Sequence, residues 1–136
     1  MIVVIDASTC IAALLDNGPE GQWAESLLIR TPLAAPQLIL VESTNVLRRL
    51  TTSGRLSDLE ASTAHRDLIT LALDLFPFEP LSDRVWALRF NLSSYDAWYV
   101  ALAEVLDAPL ATLDQRLINA PGPRCEFISL SAEERF

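Results

Sequence analysis

Met1-Ile-Val-Val-Ile-Asp-Ala-Ser-Thr9 is the stretch on which the fold turns. Ile2 to Ile5 are four consecutive β-branched residues with no polar residue alternating among them, the pattern of a strand buried on both faces of a parallel sheet. Asp6 then stands at the carboxyl end of that strand. Ala7 to Leu15 continues at helical spacing, with Cys10, Ile11, Leu14 and Leu15 apolar and Ser8 and Thr9 available as capping residues. In an open parallel sheet ligands bind in the crevice beyond the carboxyl ends of the strands, which makes Asp6 a candidate site residue. Asp is also a favoured N-cap, so capping alone accounts for it equally well.

Working outward, the 136 residues suit a single domain spanning positions 1–136, long enough to bury a real core. The hydrophobic fraction, 51% without counting Gly, exceeds the usual globular value and suggests apolar surface reserved for a partner or a second copy. Cys10 and Cys125 are too few and too differently placed for a disulfide framework or a metal site, which points to a reducing cytoplasm. No apolar run approaches the roughly 18 residues of a membrane span, so a soluble, unprocessed protein with no membrane partner is expected. Net charge is −8, which argues against a general nucleic-acid-coating surface but leaves room for a local one. All ten basic residues are arginine. The absence of lysine removes P-loop nucleotide binding, Schiff-base chemistry and phosphoryl sites that need a lysine. What remains is chemistry that carboxylates and a metal can perform.

Further along, Glu20 to Ile29 reads as a second helix after the break at Asn17-Gly18-Pro19, and Leu33 to Ala35 as a very short strand. Pro36 suits the first turn of a long helix running to about Leu50. Glu42 falls inside the apolar stripe Ile39, Val46, Leu50 of that helix, where a charge needs a partner or a ligand, or else sits at the solvent margin. Thr51 to Gly54 ends it. Ser57-Asp-Leu-Glu60 is a capping box opening a helix to about Leu73, whose His65 lacks any second metal ligand at useful spacing. Leu75 to Phe78 reads as an edge strand and Ser82 to Phe90 as a short helix. Leu92 to Leu106 is an almost wholly apolar helix with Ser94 able to cap and Asp96 in the first turn, where the helix dipole stabilises an acid whatever its role. Ala108 to Thr112 is a short buried strand, and Leu113 to Leu117 turns into a helix, so Asp114 repeats the strand, carboxylate, helix arrangement of Asp6, with capping again the alternative. Pro121-Gly-Pro123 marks a turn, Glu126 to Leu130 a last strand, and Ser131 to Glu134 a final capping box.

Short strands alternating with helices predict an α/β fold with a parallel sheet and right-handed crossovers. Asp6, Asp96 and Asp114 would then face one edge. Two carboxylates at about 4 Å repel by roughly 4 kcal/mol at an effective dielectric near 20. A cluster of four acids therefore needs cations or protons. Oxygen-only ligands select a hard ion, Mg²⁺ or Mn²⁺, and such an ion can activate water and neutralise a phosphate oxygen, which points to phosphodiester hydrolysis.

With these pieces in place the chain resembles a PIN domain, and among PIN domains the VapC-type ribonuclease toxins of bacterial toxin–antitoxin pairs. The resemblance runs through Val4-Ile-Asp6-Ala-Ser8, Ala35-Pro36 to Glu42 and Asn45-Val-Leu-Arg48-Arg49, Tyr95-Asp96-Ala97 with Tyr99-Val-Ala-Leu-Ala103, and Ala111-Thr112-Leu-Asp114 with Arg116-Leu117. It implies a three-layer fold with helices on both faces of a sheet ordered 3-2-1-4-5. It also implies a catalytic acid set of Asp6, Glu42, Asp96 and Asp114, with Asp6, Asp96 and Asp114 as metal ligands and Ser8 and Thr112 as supporting hydroxyls. The further implications are Mg²⁺ as cofactor with Mn²⁺ able to substitute, a homodimer, an RNA substrate such as a tRNA or rRNA loop, and a cognate antitoxin. Arg48, Arg49, Arg55 and Arg116 are candidates for phosphate contact, against solvated faces or internal ion pairs as the plainer reading.

Two rivals follow from the same residues. A metal-dependent phosphatase with Asp6 as nucleophile is weakened by the absence of a second Asp two residues on and of any lysine. A PIN-like scaffold that binds protein or RNA without cutting it gains nothing from crowding four acids together.

Overall fold

Val3–Ile5 forms strand β1, and the elements that follow are α1 (Ala7–Leu15), α2 (Pro19–Arg30), β2 (Leu33–Pro36), α3 (Leu38–Thr52), α4 (Asp58–Thr70), β3 (Leu73–Phe76), α5 (Ser82–Ala87), α6 (Ser94–Val105), β4 (Leu110–Ala111), α7 (Gln115–Asn119) and β5 (Phe127–Ile128). The computed structural model describes residues 1–130, and the capping box expected at Ser131–Glu134 lies outside them. The five strands are all parallel in the order β3-β2-β1-β4-β5. β1 is flanked on both sides, with Val4 in register with Ala34 of β2 and with Leu110 of β4. This explains its uninterrupted apolar run: all three of its residues are buried.

The connections from β1 to β2 and from β2 to β3 step one way across the sheet, whereas β3 to β4 and β4 to β5 step the other way. Right-handed crossovers therefore put α1–α4 on one face and α5–α7 on the other. Accordingly α1 packs with α2, α3 and α4, while α6 packs on α5 and over β1 and β2. The reversal leaves a crevice at the carboxyl ends of β1 and β4, the topological switch point. No helix among the described residues is long and apolar enough to cross a membrane.

Several boundaries differ from those expected. Pro36 ends β2 instead of opening a helix: it pairs in register with Phe76, and α3 starts only at Leu38 after the Gln37 N–H donates to the Phe76 carbonyl at 3.0 Å. β3 occupies Leu73–Phe76, two residues earlier than expected, and stops before Pro77, which has no N–H to give a ladder. The preceding helix correspondingly ends at Thr70. α6 is capped by Ser93, whose Oγ accepts the Asp96 N–H at 3.1 Å, and Ser94 is its first helical residue. The expected Ser57/Glu60 capping box is present, with both reciprocal bonds made.

Candidate acidic active site

Asp6 ends β1 and caps α1. It is 7% exposed, and its Oδ1 accepts hydrogen bonds from Ser8 Oγ at 2.7 Å and from the Thr9 N–H at 3.0 Å. Its Oδ2 accepts one from Thr112 Oγ1 at 2.5 Å. Asp6 therefore caps α1, as expected, and the same side chain also lines the cleft shared with the other acids. Thr112 is fully buried one residue past β4, and its hydroxyl also accepts the Asp114 N–H at 3.0 Å. Ser8 Oγ in turn accepts the Leu113 N–H at 3.1 Å. Two hydroxyls therefore bolt the start of α1 to the segment between β4 and α7, fixing the separation of Asp6 and Asp114.

Asp114 caps α7, its Oδ1 accepting the Arg116 N–H at 3.0 Å, with Arg116 Nε 3.5 Å away. Asp96 lies in the first turn of α6, on the opposite layer from α3. Glu42 reaches in from α3 and accepts a hydrogen bond from Tyr99 OH at 2.6 Å. Asp6, Glu42, Asp96 and Asp114 all line one cleft of about 330 Å³, together with Ser8, Tyr99 and Arg49. Carboxylates from positions 6, 42, 96 and 114 thus meet at the carboxyl edge of the sheet, where the switch point predicts a ligand site.

Crowding and burial raise three of these carboxyls, Asp6, Glu42 and Asp96. Burial pushes Asp6 above the usual carboxylate range, against the lowering by Ser8, Thr112 and Thr9. Glu42 is raised first by burial and then by the charges of Asp96 and Asp6, with the Tyr99 hydroxyl opposing. Asp96 is raised by burial, then by Asp114 and Asp6. Tyr99 is itself pushed up by burial and by its bond to Glu42, so it remains a proton donor to that carboxylate.

Among the described residues no three His, Cys, Asp or Glu side chains stand close enough, as placed, to hold a metal ion between them. The acids share a cleft rather than a closed cage. Of a carboxylate's four lone-pair sites, Asp6 has committed two on Oδ1 and one on Oδ2, which leaves Oδ2 able to accept once more.

The four arginines are distributed unevenly. Arg49 lines the acidic cleft, and Arg116 lies beside Asp114. Arg48 donates from Nε to Asn45 Oδ1 at 2.9 Å and lines a shallow groove between α3 and α4 with the exposed His65. Arg55 follows Gly54 beyond the end of α3. The residue that sequence reasoning passed over is Tyr99. Its place three positions after Asp96, one helical turn along the same face, was the available signal.

The PIN domain family model matches residues 3–123. Ribonuclease VapC9 of Mycobacterium tuberculosis is 39% identical to this chain over 91% of it and 94% of the relative. The solved structure of PAE2754 from Pyrobaculum aerophilum superposes with a TM-score of 0.72 at 22% identity, covering 93% of this chain and 83% of that one. A toxin–antitoxin complex from Klebsiella pneumoniae gives a TM-score of 0.61 at 17% identity, covering 95% and 96%. With the model matching nearly its whole length and a relative this similar, the chain belongs to the PIN domain family.

Proposed function

We propose that the chain is a divalent-cation-dependent endoribonuclease that hydrolyses phosphodiester bonds of RNA such as tRNA or rRNA loops, and that it is the toxin of a toxin–antitoxin pair. The observation that carries this reading is the convergence of Asp6, Glu42, Asp96 and Asp114 on one cleft. The relative named a ribonuclease and the similar fold in a toxin–antitoxin complex lend it support. A cognate antitoxin and a second copy of the chain are the partners proposed, both served by exposed apolar residues such as Ile29, Leu59, Trp86 and Phe90. The cytoplasm is the proposed location, in keeping with two free cysteines.

The donor set fits a hard cation. All the acidic side chains lining the cleft offer oxygen, and burial disfavours the ionisation of Asp6, Glu42 and Asp96 unless positive charge enters. Mg²⁺, or Mn²⁺ in its place, would be held by Asp6, Asp96 and Asp114, keeping waters of its own because these side chains do not form a closed cage. When bound it would supply Lewis-acid activation of water and of a phosphate oxygen. The chain's own residues do the rest. Ser8 and Thr112 hydrogen-bond Asp6, Tyr99 hydrogen-bonds Glu42, and Glu42 would accept a proton from an attacking water, its raised pKa suiting a general base. Arg49 offers a guanidinium for a phosphate oxygen.

The test incubates purified protein, free of partner, with structured RNA in Mg²⁺ and in EDTA, beside Asp96→Asn. Cleavage only by the wild type with Mg²⁺ is expected, and cleavage persisting in EDTA or in the variant would remove the acids from the mechanism. The second reading, a scaffold that binds protein or RNA without cutting, is favoured by the absence, among the described residues, of three carboxylates gathered closely enough for one ion. RNA bound but never cut under any condition would decide for it.

A further inference from the structure

Asp96 and Asp114 border two clefts at once. Besides the acidic cleft they line a smaller one of about 190 Å³, completed by Asn91, Ser93 and Arg116. That volume lies below the roughly 300 Å³ at which pockets for whole drug-sized molecules begin, and leaves room for a single base or sugar beside the acids. Beside the shared pair its polar lining is a carboxamide, a hydroxyl and a guanidinium. Arg116 has a side chain 92% exposed and approaches Asp114 only to 3.5 Å, beyond a strong hydrogen bond, so its donors remain available to a phosphate oxygen. Ser93 Oγ accepts the Asp96 N–H and keeps its own proton to donate. The Asn91 side chain is exposed and its amide makes no hydrogen bond to any described residue.

The wall behind Asn91 is held in place. Gly122, at φ +109°, lies so near that a Cβ there would fall 2.9 Å from Asn91 Nδ2 and 3.1 Å from Leu88 Cδ2. Arg84 Nη2 donates to the Gly122 carbonyl at 3.0 Å, and Arg84 is clamped by both oxygens of Glu104, at 2.6 and 3.1 Å. Glu104 also accepts the Arg124 N–H at 2.8 Å. This network touches none of the four acids, yet it fixes the turn against which Asn91 rests.

We infer that the second cleft is a nucleotide subsite, which takes the base or ribose next to the scissile phosphate of an RNA substrate and sets the preference for where it is cut. Asn91 and Ser93 hydrogen-bond the polar edge of that group, and Arg116 holds the adjoining phosphate. With Arg49 in the acidic cleft, a strand crossing the acids meets an arginine on either side. A base can enter only if it is unstacked, which selects single-stranded or loop RNA. The inference rests on the ribonuclease reading of the acidic cleft and adds the origin of sequence preference to it.

The test compares wild type, Asn91→Ala, Arg116→Ala and the distant control His65→Ala on short single-stranded RNA of randomised sequence, with cut positions read by sequencing the new ends. In parallel, binding of the same fluorescein-labelled RNA is measured for Asp96→Asn with and without Asn91→Ala. Asn91→Ala is expected to lose about tenfold of the discrimination at one position beside the cut and a similar factor in affinity, the worth of one well-placed hydrogen-bonding contact. Arg116→Ala is expected to weaken all sequences alike, and His65→Ala to change nothing. Gly122→Ala, which displaces Asn91 without removing it, should shift the same preference while the protein still melts cooperatively. Cut positions and affinity unaltered by Asn91→Ala would overturn the subsite and leave the ribonuclease reading standing. A wild type that cuts no RNA would overturn the ribonuclease reading and, with it, the subsite beside a scissile phosphate.

Discussion

Asp6 has two roles that pull its protonation in opposite directions. As the N-cap of α1 it is stabilised as an anion by the Thr9 N–H and by two hydroxyls, whereas as a buried member of an acidic cleft it is destabilised by lost water. Burial wins, which means that the metal-free protein holds carboxylates at some expense to its stability. Asp96 lacks the protection of Asp6, since burial, Asp114 and Asp6 all raise it, with only weak opposition from Ser93 and Arg116. Asp96→Asn is therefore expected to abolish metal-dependent cleavage and at the same time to raise the metal-free melting temperature by about 2–5 °C, measured in EDTA at neutral pH. A variant both inactive and less stable would mean that Asp96 is a structural residue. Tyr99 is the complementary case. Its hydroxyl donates to Glu42, so Tyr99→Phe should keep the packed ring and lose the bond that orients the carboxylate. The expected result is a fall of about tenfold in kcat with little change in KM for RNA, checked by single-turnover kinetics, and an unaltered kcat would detach Tyr99 from the reaction.

At the level of elements, the junction between β4 and α7 is where the site is built. Thr112 donates to Asp6 and accepts from Asp114 N, so Thr112→Val should leave one buried acceptor and one donor without a partner. A loss of about 1–3 kcal/mol by urea denaturation is expected, with cleavage reduced as Asp6 and Asp114 drift apart. Where α1 meets α2, a Cβ on Gly21 would come within 1.7 Å of the Asp16 carbonyl, a contact that backbone cannot relieve. Gly21→Ala is expected to destabilise by at least about 1–3 kcal/mol through overpacking, and a neutral melting curve would show that the corner opens freely. These elements also show how far the chain could be read unaided. β1, Asp6 at its end and the repeat of that arrangement at Asp114 followed from local pattern, because a strand buried on both faces tolerates no polar residue. Pro36, the offset of β3 and the choice of Ser93 over Ser94 did not, since each depends on a neighbouring strand or on where a helix axis points. That Arg49 faces the acids while Arg48 turns toward α4 was likewise invisible, adjacent residues on a helix being separated by a rotation that tertiary packing alone fixes.

Over the whole molecule, a net charge of −8 and a cleft with three raised carboxyls make stability depend on protons and, if the proposed cation binds, on that ion too. Between the ordinary carboxylate range, about pH 4, and the raised values of Asp6, Glu42 and Asp96, the folded chain binds more protons than the unfolded one, so stability falls as pH rises through that window. Glu104 works the other way: burial alone would raise it, but its bonds to Arg84 and the Arg124 N–H hold it below the ordinary value, so its stabilisation is present above that value and lost on acidification. A metal-free melting profile should therefore pass through a maximum on the acid side of neutrality. A divalent cation bound as proposed would compete with protons for the same oxygens, and its stabilisation would grow with the logarithm of its concentration over its dissociation constant. Mg²⁺ is thus expected to raise the melting temperature at neutral pH and to have less effect near pH 4, where protons compete with it most strongly for Asp6, Glu42 and Asp96. In Asp96→Asn both the acid-side maximum and the Mg²⁺ response should shrink together, because one set of oxygens is responsible for each. Scanning fluorimetry across pH, with Mg²⁺ and with EDTA, measures all of these at once. A response to Mg²⁺ as large in Asp96→Asn as in the wild type would place the cation elsewhere on this acidic surface and separate the charge of the protein from the chemistry of its cleft.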